Sequence, residues 1–336
     1  MATPSPTILP PNESGIARAA KALRDGGVVA FGTETVYGLG ADAGNPQAVS
    51  AVFALKQRPA KNPLICHVDG LDMAKTIARV DDHAEGLIRH FWPGPLTLIL
   101  PYSGGDAVTH TARAGLGTVA IRAPAHPVAR ALITAVGRPV VAPSANKSGR
   151  LSPTSAMMVA EALGQDVPLI LGGGRCDIGL ESTVLDLTNQ PPTILRPGAI
   201  MAEDLAAFCP DVQGFQDQSE PNAPASPGLL LRHYAPRLPL RIEVREGPLA
   251  ADEAFIGFGP NPFPPKGGHS RHSLSPTGDL DEAAQALFGL LKTVEDSGAA
   301  RIAVAPIPDT GIGLAINDRL RRAAAASQLD SGGQDT

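Results

Sequence analysis

The sequence has few cysteines, few aromatic residues and no excess of basic residues, and each shortage argues against a class of protein. Its three cysteines, Cys66, Cys176 and Cys209, lie far apart in 336 residues and form no CxxC motif. They favour a reducing compartment over a disulfide framework or a zinc site. Only 4% of the residues are aromatic, so small aliphatic side chains must form most of the core. The net charge of −5 argues against binding of nucleic acid by general attraction to phosphate.

Long hydrophobic runs are also missing. The first 15 residues contain no apolar stretch behind a basic start, which argues against a secretory signal. No run approaches the roughly 18 apolar residues of a membrane span. With 43% hydrophobic residues the chain can still bury a large core, and its length favours two domains. We therefore expect a cytoplasmic protein of two domains that does not associate with a membrane.

Apolar runs and helical periodicity alternate through the first two thirds of the chain. After an N-terminal stretch without regular structure, the pattern predicts helices at 15–25, 46–57, 127–136 and 154–163, with two more between 69 and 91. It predicts strands at 28–31, 63–68, 96–100, 119–122, 140–142 and 169–171, and a hairpin at 182–187 and 193–195. The strands and helices follow no single repeated unit. We therefore predict an α/β fold with a twisted mixed sheet.

The composition changes after residue 208. Residues 209–239 are polar and rich in proline, glycine and serine, which is typical of a linker, but residues 229–236 contain an apolar triplet followed by Arg, His and Tyr. Strands at 240–244, 253–257 and 301–305 and helices at 280–294 and up to about 326 follow, before ten polar residues. We predict a domain at 1–208, a docking linker at 209–239, and a smaller parallel, Rossmann-like α/β domain at 240–336.

Three cations lie close together in the segment KQRPAKNP. Pro59 disfavours a helical Arg58, so we predict an extended chain in which Lys56 and Arg58 share a face. Two cations that point the same way suit a polyphosphate. The alternative is a solvated basic turn that includes Lys61.

Polar residues follow several of the predicted buried strands, where open α/β sheets bind ligands. Ser144 and Asn146 follow strand 140–142, and Arg122 ends strand 119–122. Arg122 could bind a carboxylate through two nitrogens of its guanidinium, or it could form a structural ion pair. Ser144 and Asn146 could bind a ligand or form a turn. Thr118, Glu181, Ser182, Thr183 and Arg196 also flank strands, and each could be a turn or capping residue.

Two further features are weaker signals. His67 lies within a predicted strand, where a histidine is more often a core residue than a catalyst. The segment 32–40 is predicted as a loop with three glycines, but it matches neither the P-loop nor the dinucleotide fingerprint. Together the strand-end residues place cations, hydroxyls and amides without a metal-ligand cluster. This set favours a nucleotide and a small polar substrate, with catalysis by positioning and charge.

These segments also carry a resemblance to a known family. The order TETVYGLG, KQRPAKNPL, CHV, WPGPLT, VAIRAP, APSANKSG, LSPT, ESTV and ILRPGAI resembles the YrdC-type threonylcarbamoyl-AMP synthases from about residue 15 to 201. SPGLLLRHYAP and a second α/β domain resemble the long, two-domain form. The resemblance implies the YrdC-like fold and a linker that docks over the active site as a lid.

The resemblance also implies an activity: L-threonine, bicarbonate and ATP, with magnesium carried by ATP, give threonylcarbamoyl-AMP and pyrophosphate. It implies that the product passes to the machinery that modifies the tRNA adenosine beside the anticodon, without requiring contact with tRNA here. Lys56 and Arg58 are the implied catalytic residues. The implied threonine ligands are Thr35, His67, Arg122, Ala142 (through its backbone) and Ser182. The implied ATP ligands are Lys56, Arg58, Asn62, Thr118, Ser144, Asn146, Ser152, Arg196 and Tyr234.

Three other functions are weighed against this one. A nucleic-acid-binding module conflicts with the acidic composition. A carbamoyltransferase that matures hydrogenases would carry added zinc-finger-like cysteine motifs, which this sequence lacks. A dehydrogenase would carry the dinucleotide fingerprint.

Overall fold

The computed structural model describes residues 6–215, 234–261 and 266–331, with backbone alone from residue 327 onward. The chain forms two compact units. The first contains Met1–Ser148, Pro153–Asp177 and Glu181–Leu229, and the second contains Gly149–Ser152, Ile178–Leu180 and Leu230–Thr336. Two short segments from the N-terminal part of the chain therefore belong to the C-terminal unit.

The first unit contains ten strands and seven helices in its described residues. The strands are β1 (Thr7–Leu9), β2 (Val29–Phe31), β3 (Gly38–Asp42), β4 (Ile65–His67), β5 (Leu96–Pro101), β6 (Thr118–Arg122), β7 (Val140–Val141), β8 (Leu169–Leu171), β9 (Thr183–Asp186) and β10 (Thr193–Arg196). The helices are α1 (Glu13–Arg24), α2 (Pro46–Lys56), α3 (Leu71–Ile77), α4 (Asp82–Phe91), α5 (Pro127–Val136), α6 (Ala156–Leu163) and α7 (Ala202–Leu205). A 3-10 turn, Gly164–Asp166, follows α6.

All ten strands form one sheet in the order β1-β8-β2-β3-β7-β4-β6-β5-β9-β10. Its pairings are mixed: β4 is parallel to β6, for example, while β5 is antiparallel to β6. The strands β9 and β10 form the predicted antiparallel hairpin. The prediction of a mixed α/β sheet is confirmed.

Local sequence explains where the helices begin and end. The side chain of Asn12 accepts a hydrogen bond from the backbone N–H of Gly15 and so caps α1, whose buried face includes Ala19 and Leu23. Helix α5 begins at Pro127 and ends before Gly137, which has a φ of 69°. Proline at the start and a left-handed glycine after the end are the expected boundary signals.

Two predictions for the N-terminal region are wrong. Residues 38–40 are not part of a loop but begin β3. Added Cβ atoms at Gly38 and Gly40 would lie 3.0 Å from the Ala142 Cβ and 2.8 Å from the Phe31 ring, so these glycines permit close packing within the sheet. The N-terminus is not irregular either, because β1 pairs in parallel with β8 at the edge of the sheet.

The second unit contains a smaller sheet. Its elements are β11 (Leu240–Arg241), β12 (Pro248–Leu249), β13 (Glu253–Gly257), β14 (Lys266–Gly267), β15 (Ser270–Ser273), α8 (Leu280–Glu295), β16 (Arg301–Val304) and α9 (Gly313–Ser331). Four strands pair in parallel in the order β11-β16-β13-β15, and β12 pairs with β14. The predicted parallel α/β domain is confirmed, although the sequence did not predict β12, β14 and β15.

The structure differs from the prediction at the C-terminus and does not describe most of the predicted linker. The last ten residues were predicted to be a polar tail. This prediction is wrong for the first of them, because helix α9 continues to Ser331. Residues 216–233, which include most of the predicted docking linker and lid, lie outside the described residues. In the part of the chain that the structure describes, no helix combines the length and apolar character needed to cross a membrane.

Candidate functional site

One cluster of buried polar side chains forms where β4 and β6 lie side by side. Their parallel register places His67 opposite Arg122. The guanidinium of Arg122 donates to the hydroxyl of Thr35 (2.8 Å) and forms an ion pair with Glu34 at 2.5 Å. All four side chains are buried. The sequence left Arg122 as either a ligand clamp or a structural ion pair, and the structure shows it in an ion pair.

The buried charges shift the pKa values of the groups around Arg122. Burial raises the pKa of Glu34, but the charge of Arg122 and hydrogen bonds from Arg122 and the backbone outweigh burial, so the net shift is downward. Burial, assisted by Arg122 and opposed by Glu34, lowers the pKa of His67 to about 3. The imidazole is therefore neutral near pH 7. Its Nδ1 is buried and has no hydrogen-bond partner among the described residues, so it can serve a ligand.

Ser182 and Arg196 come together at the β9–β10 hairpin. Arg196 Nε donates to the Ser182 carbonyl and Nη2 to its hydroxyl, both at 3.0 Å. The Ser182 hydroxyl also lies 2.8 Å from the Thr97 hydroxyl. Strands β5 and β6 are antiparallel, and Leu98 pairs with Ile121. Thr97, which precedes Leu98, therefore lies opposite Arg122, which follows Ile121. These contacts therefore join one set of side chains, called here the arginine group: Thr35, His67, Arg122, Ser182 and Arg196.

A second set is built around Lys56 and is called here the lysine group: Lys56, Arg58, Asn62, Ser144 and Asn146. The ammonium of Lys56 is buried and donates to the backbone carbonyls of Ser144 and Asn146, the latter at 2.6 Å. Arg58 donates to the Asn62 side-chain oxygen at 2.6 Å and to its carbonyl at 3.0 Å. The lysine group therefore joins the end of α2 to the loop after β7.

The predicted extended conformation of this segment is wrong. Lys56 is the last residue of α2, and Gln57 has a left-handed φ of 51°. Pro59 restricts Arg58, but it does not prevent the helix from reaching Lys56. Without an extended chain, the prediction that Lys56 and Arg58 point the same way loses its basis, although the charge of Arg58 does lower the pKa of Lys56.

The surroundings of Lys56 disfavour its charge. Burial lowers the pKa of Lys56 well below its usual range, and the neighbouring cations Arg58 and Lys147 lower it further. The carboxylate of Glu181 opposes the shift. Because Glu181 directly precedes Ser182, this interaction also links the lysine group electrostatically to the arginine group.

Strand β6 gives the spacing between the two groups. Thr118 and Arg122 occupy its two ends and, being an even number of residues apart, share one face of the sheet. Four residue steps along a strand correspond to about 13 Å. Because β4 runs parallel to β6, Asn62, which precedes β4, lies toward the Thr118 end. The predicted site residues therefore spread along a strand, an arrangement that suits an elongated ligand, instead of gathering only at carboxyl ends.

Three of the predicted residues remain to be placed. Ala142 follows β7, and its N–H donates to the Ile65 carbonyl at 3.1 Å. Ser152 and Tyr234 belong to the second unit, where both are buried. The roles given to these and the other site residues stay predictions.

Sequence reasoning missed Glu34 and Thr97. Glu34 lies in the glycine-bearing TETVYGLG segment, where its charge gave no sign of burial. Thr97 had a clear signal, because it is the only hydroxyl residue in the apolar run 96–100. A lone polar side chain in a buried strand needs a partner, and Ser182 provides one.

Comparison with known proteins agrees with this architecture. A family model described as "Telomere recombination" matches residues 21–198, and a model described as "Threonylcarbamoyl-AMP synthase, C-terminal domain" matches residues 200–325. The chain is 41% identical to the threonylcarbamoyl-AMP synthase of Bacillus subtilis, over 93% of this chain and 94% of that protein. It is 40% identical to the protein of the same name from Pyrococcus abyssi, with 91% and 93% coverage.

A solved structure gives the same result. The crystal structure of P. abyssi Sua5 complexed with L-threonine superposes with a TM-score of 0.87 at 35% identity, covering 96% of this chain and 98% of that one. Both family models, the identity to curated relatives and the full-length structural match agree. This chain belongs to the YrdC-type threonylcarbamoyl-AMP synthase family, in its two-domain form, and the members of this family are nucleotidyltransferase enzymes.

Proposed function

We propose that this chain is an L-threonylcarbamoyladenylate synthase that condenses L-threonine, bicarbonate and ATP to threonylcarbamoyl-AMP and pyrophosphate. One observation carries the proposal: the first unit contains two groups of mostly buried polar side chains, one around Arg122 along the sheet and one around Lys56 where α2 meets the loop after β7. Further support comes from the structurally similar P. abyssi protein, which was crystallised with L-threonine.

The arginine group, except for Arg196, would hold L-threonine. The guanidinium of Arg122 would contact the carboxylate, and Thr35, His67, Ser182 and the Ala142 backbone would supply hydrogen bonds. A neutral His67 can donate or accept a hydrogen bond without repelling a substrate amine. A hydrogen bond to the threonine hydroxyl rejects valine strongly, whereas a methyl pocket gives only about 1–3 kcal/mol against serine. Serine is therefore the harder competitor.

The lysine group would hold the triphosphate of ATP. Lys56 and Arg58, with Asn62, Ser144 and Asn146, would face the phosphates, while Thr118, Ser152, Arg196 and Tyr234 complete the predicted ATP set. ATP would carry a magnesium ion, which neutralises part of the phosphate charge. Phosphate oxygens of ATP would be the main ligands of this ion.

The reaction balances in two steps. The threonine amine attacks bicarbonate, releasing water and giving the N-carboxy-threonine carbamate. A carbamate oxygen then attacks the α-phosphorus of ATP, the bond to the β-phosphate oxygen breaks, and pyrophosphate leaves with the electron pair. Charge builds on phosphate oxygens during this transfer, where the cations of Lys56 and Arg58 would stabilise it. The carbamate is unstable in water, so the site must exclude water.

We further propose that the product serves threonylcarbamoyl modification of a tRNA adenosine next to the anticodon, in the cytoplasm. The chain would hand the intermediate to the transfer machinery, and contact with tRNA itself is not required. An electrostatic RNA-binding role would need a basic surface, whereas the net charge is −5.

Pyrophosphate release tests the proposal directly. The full chain, supplied with ATP and magnesium, should release pyrophosphate only when threonine and bicarbonate are both present. Omission of either substrate should reduce the rate to background, and serine should substitute better than valine. ATP turnover that is indifferent to threonine would refute the proposal.

A further inference from the structure

Tyr234, in the second unit, has an unusual backbone conformation. Its φ is 63°, in the left-handed region, and its side chain is fully buried. Left-handed backbone is strained for a non-glycine residue and persists only when surrounding contacts impose it. The contacts around Tyr234 therefore indicate which part of the second unit fixes the residue.

Two side chains hold the tyrosine ring. Phe288 of α8 stacks on it with ring centroids 5.7 Å apart and planes inclined by 29°. The guanidinium of Arg319, from α9, lies over the ring at 5.2 Å from its centroid. An aromatic face attracts a cation above it, and it does so more strongly when the cation is desolvated. Both contacts come from the second unit.

Arg319 is itself held by a buried ion-pair cluster. Its Nη1 donates to Asp318 at 2.9 Å, and Asp318 also accepts from Arg322 Nε at 2.9 Å. All three side chains are buried. Buried ion pairs contribute little net stability but can fix geometry at some cost. A positioning role for Arg319 accounts for that cost.

The backbone after Tyr234 is also fixed. The Ala235 N–H donates to the Gly149 carbonyl at 2.8 Å, and Ala235 forms a parallel bridge with Arg150. Gly149 and Arg150 belong to the short segment Gly149–Ser152, which also contains Ser152. Two of the residues proposed to contact ATP, Ser152 and Tyr234, therefore lie on paired backbone segments of one unit.

We infer that Arg319 is a positioning residue of the C-terminal unit: with Phe288 it fixes Tyr234, and through the Ala235–Gly149 pairing Ser152, for contact with ATP. The inference rests on the proposed function for the identity of the nucleotide. It predicts that loss of Arg319 weakens contact with ATP and leaves contact with threonine unchanged. The arginine group, by contrast, belongs wholly to the first unit.

The test compares Arg319→Met with Arg321→Met. Methionine keeps the apolar stem of the side chain but removes the guanidinium, and the Asp318–Arg322 ion pair survives the first change, so the fold should persist. Arg321 is a matched control on the same helix, partly exposed and 3.5 Å from Asp309. Arg319→Met should raise the KM for ATP about 10-fold, which a loss of about 1.4 kcal/mol would give, and leave the KM for threonine within about twofold. Arg321→Met should change neither.

Hydrogen exchange at the Ala235 amide gives a readout independent of activity. Arg319→Met should speed this exchange in the full chain, and Arg321→Met should not. Phe288→Leu is a second variant that removes the stack but keeps an apolar side chain, and it should have the same two effects. Equal changes in both KM values, or unchanged exchange at Ala235 in both variants, would overturn the inference. If the unaltered protein showed no threonine-dependent turnover, the proposed function would be refuted. The exchange measurement would still test whether Arg319 and Phe288 fix Tyr234.

Discussion

The two groups of the candidate site bury positive charge in different ways. In the arginine group, Arg122 is paired with the carboxylate of Glu34. In the lysine group, Lys56 donates to backbone carbonyls, and the neighbouring cations Arg58 and Lys147 outweigh the carboxylate of Glu181. A carbonyl satisfies a hydrogen bond without balancing a charge, so Lys56 favours an anionic ligand that brings charge with it. A balanced Arg122 instead matches a ligand that carries both charges, as an amino acid does.

The largest effect should come from breaking the balanced pair. Glu34→Gln leaves Arg122 buried without its carboxylate, and removal of one partner of a buried pair costs about 3–5 kcal/mol. Thermal and chemical unfolding should show this loss of stability. Asp25→Asn is the control, because Asp25 pairs with Lys21 on the exposed surface and should contribute at most about 0.5 kcal/mol. Equal losses in the two variants would mean that Glu34 does not balance Arg122.

The next effect should appear in catalysis. Lys56→Ala removes a cation from the proposed phosphate site and should slow pyrophosphate release about 10²–10³-fold without unfolding the protein. Lys61 is exposed and nearby in sequence, so Lys61→Ala should leave the rate nearly unchanged. Circular dichroism of both variants controls for folding. Near-normal pyrophosphate release by Lys56→Ala would remove Lys56 from the mechanism.

The smallest effect concerns pH. The pKa of His67 is lowered from about 6.5 to about 3, so the unfolded chain takes up a proton that the folded chain refuses. Stability from this residue is complete above pH 6.5 and declines as the pH falls toward 3, by about 2 kcal/mol between pH 6.5 and 5. In His67→Gln this decline should shrink, whereas replacement of the exposed His110 in the control His110→Gln should leave the loss of stability unchanged. An identical acid profile for all three proteins would contradict a buried neutral His67.

The sequence predicted most helices and strands because their apolar periodicity is strong and their boundaries carry local signals. Helix α5, from Pro127 to Val136, matched its prediction at both ends. The short edge strands β1, β12 and β14 escaped because two or three residues carry no period. The start of β3 was missed because its glycines were interpreted as turn residues, while their role is close packing.

The sequence predicted which residues belong to the candidate site, but it did not predict their partners. Polar residues at strand ends, and the family resemblance, identified Arg122, Ser182 and Lys56. Their partners depend on contacts between distant parts of the chain, such as the ammonium of Lys56 with the carbonyl of Asn146, 90 residues away. No local pattern encodes such a pairing. The family resemblance supplies residue identities, and the fold supplies the partners.

The edge strand β1 has a practical consequence for handling this protein. It covers β8, whose residues Leu169–Leu171 would otherwise present unpaired N–H and C=O groups at the sheet margin. An open edge of this kind is a template for pairing with another chain. Trimming the first nine residues, by protease or by cloning, would therefore promote self-association and precipitation even though every proposed ligand contact lies elsewhere.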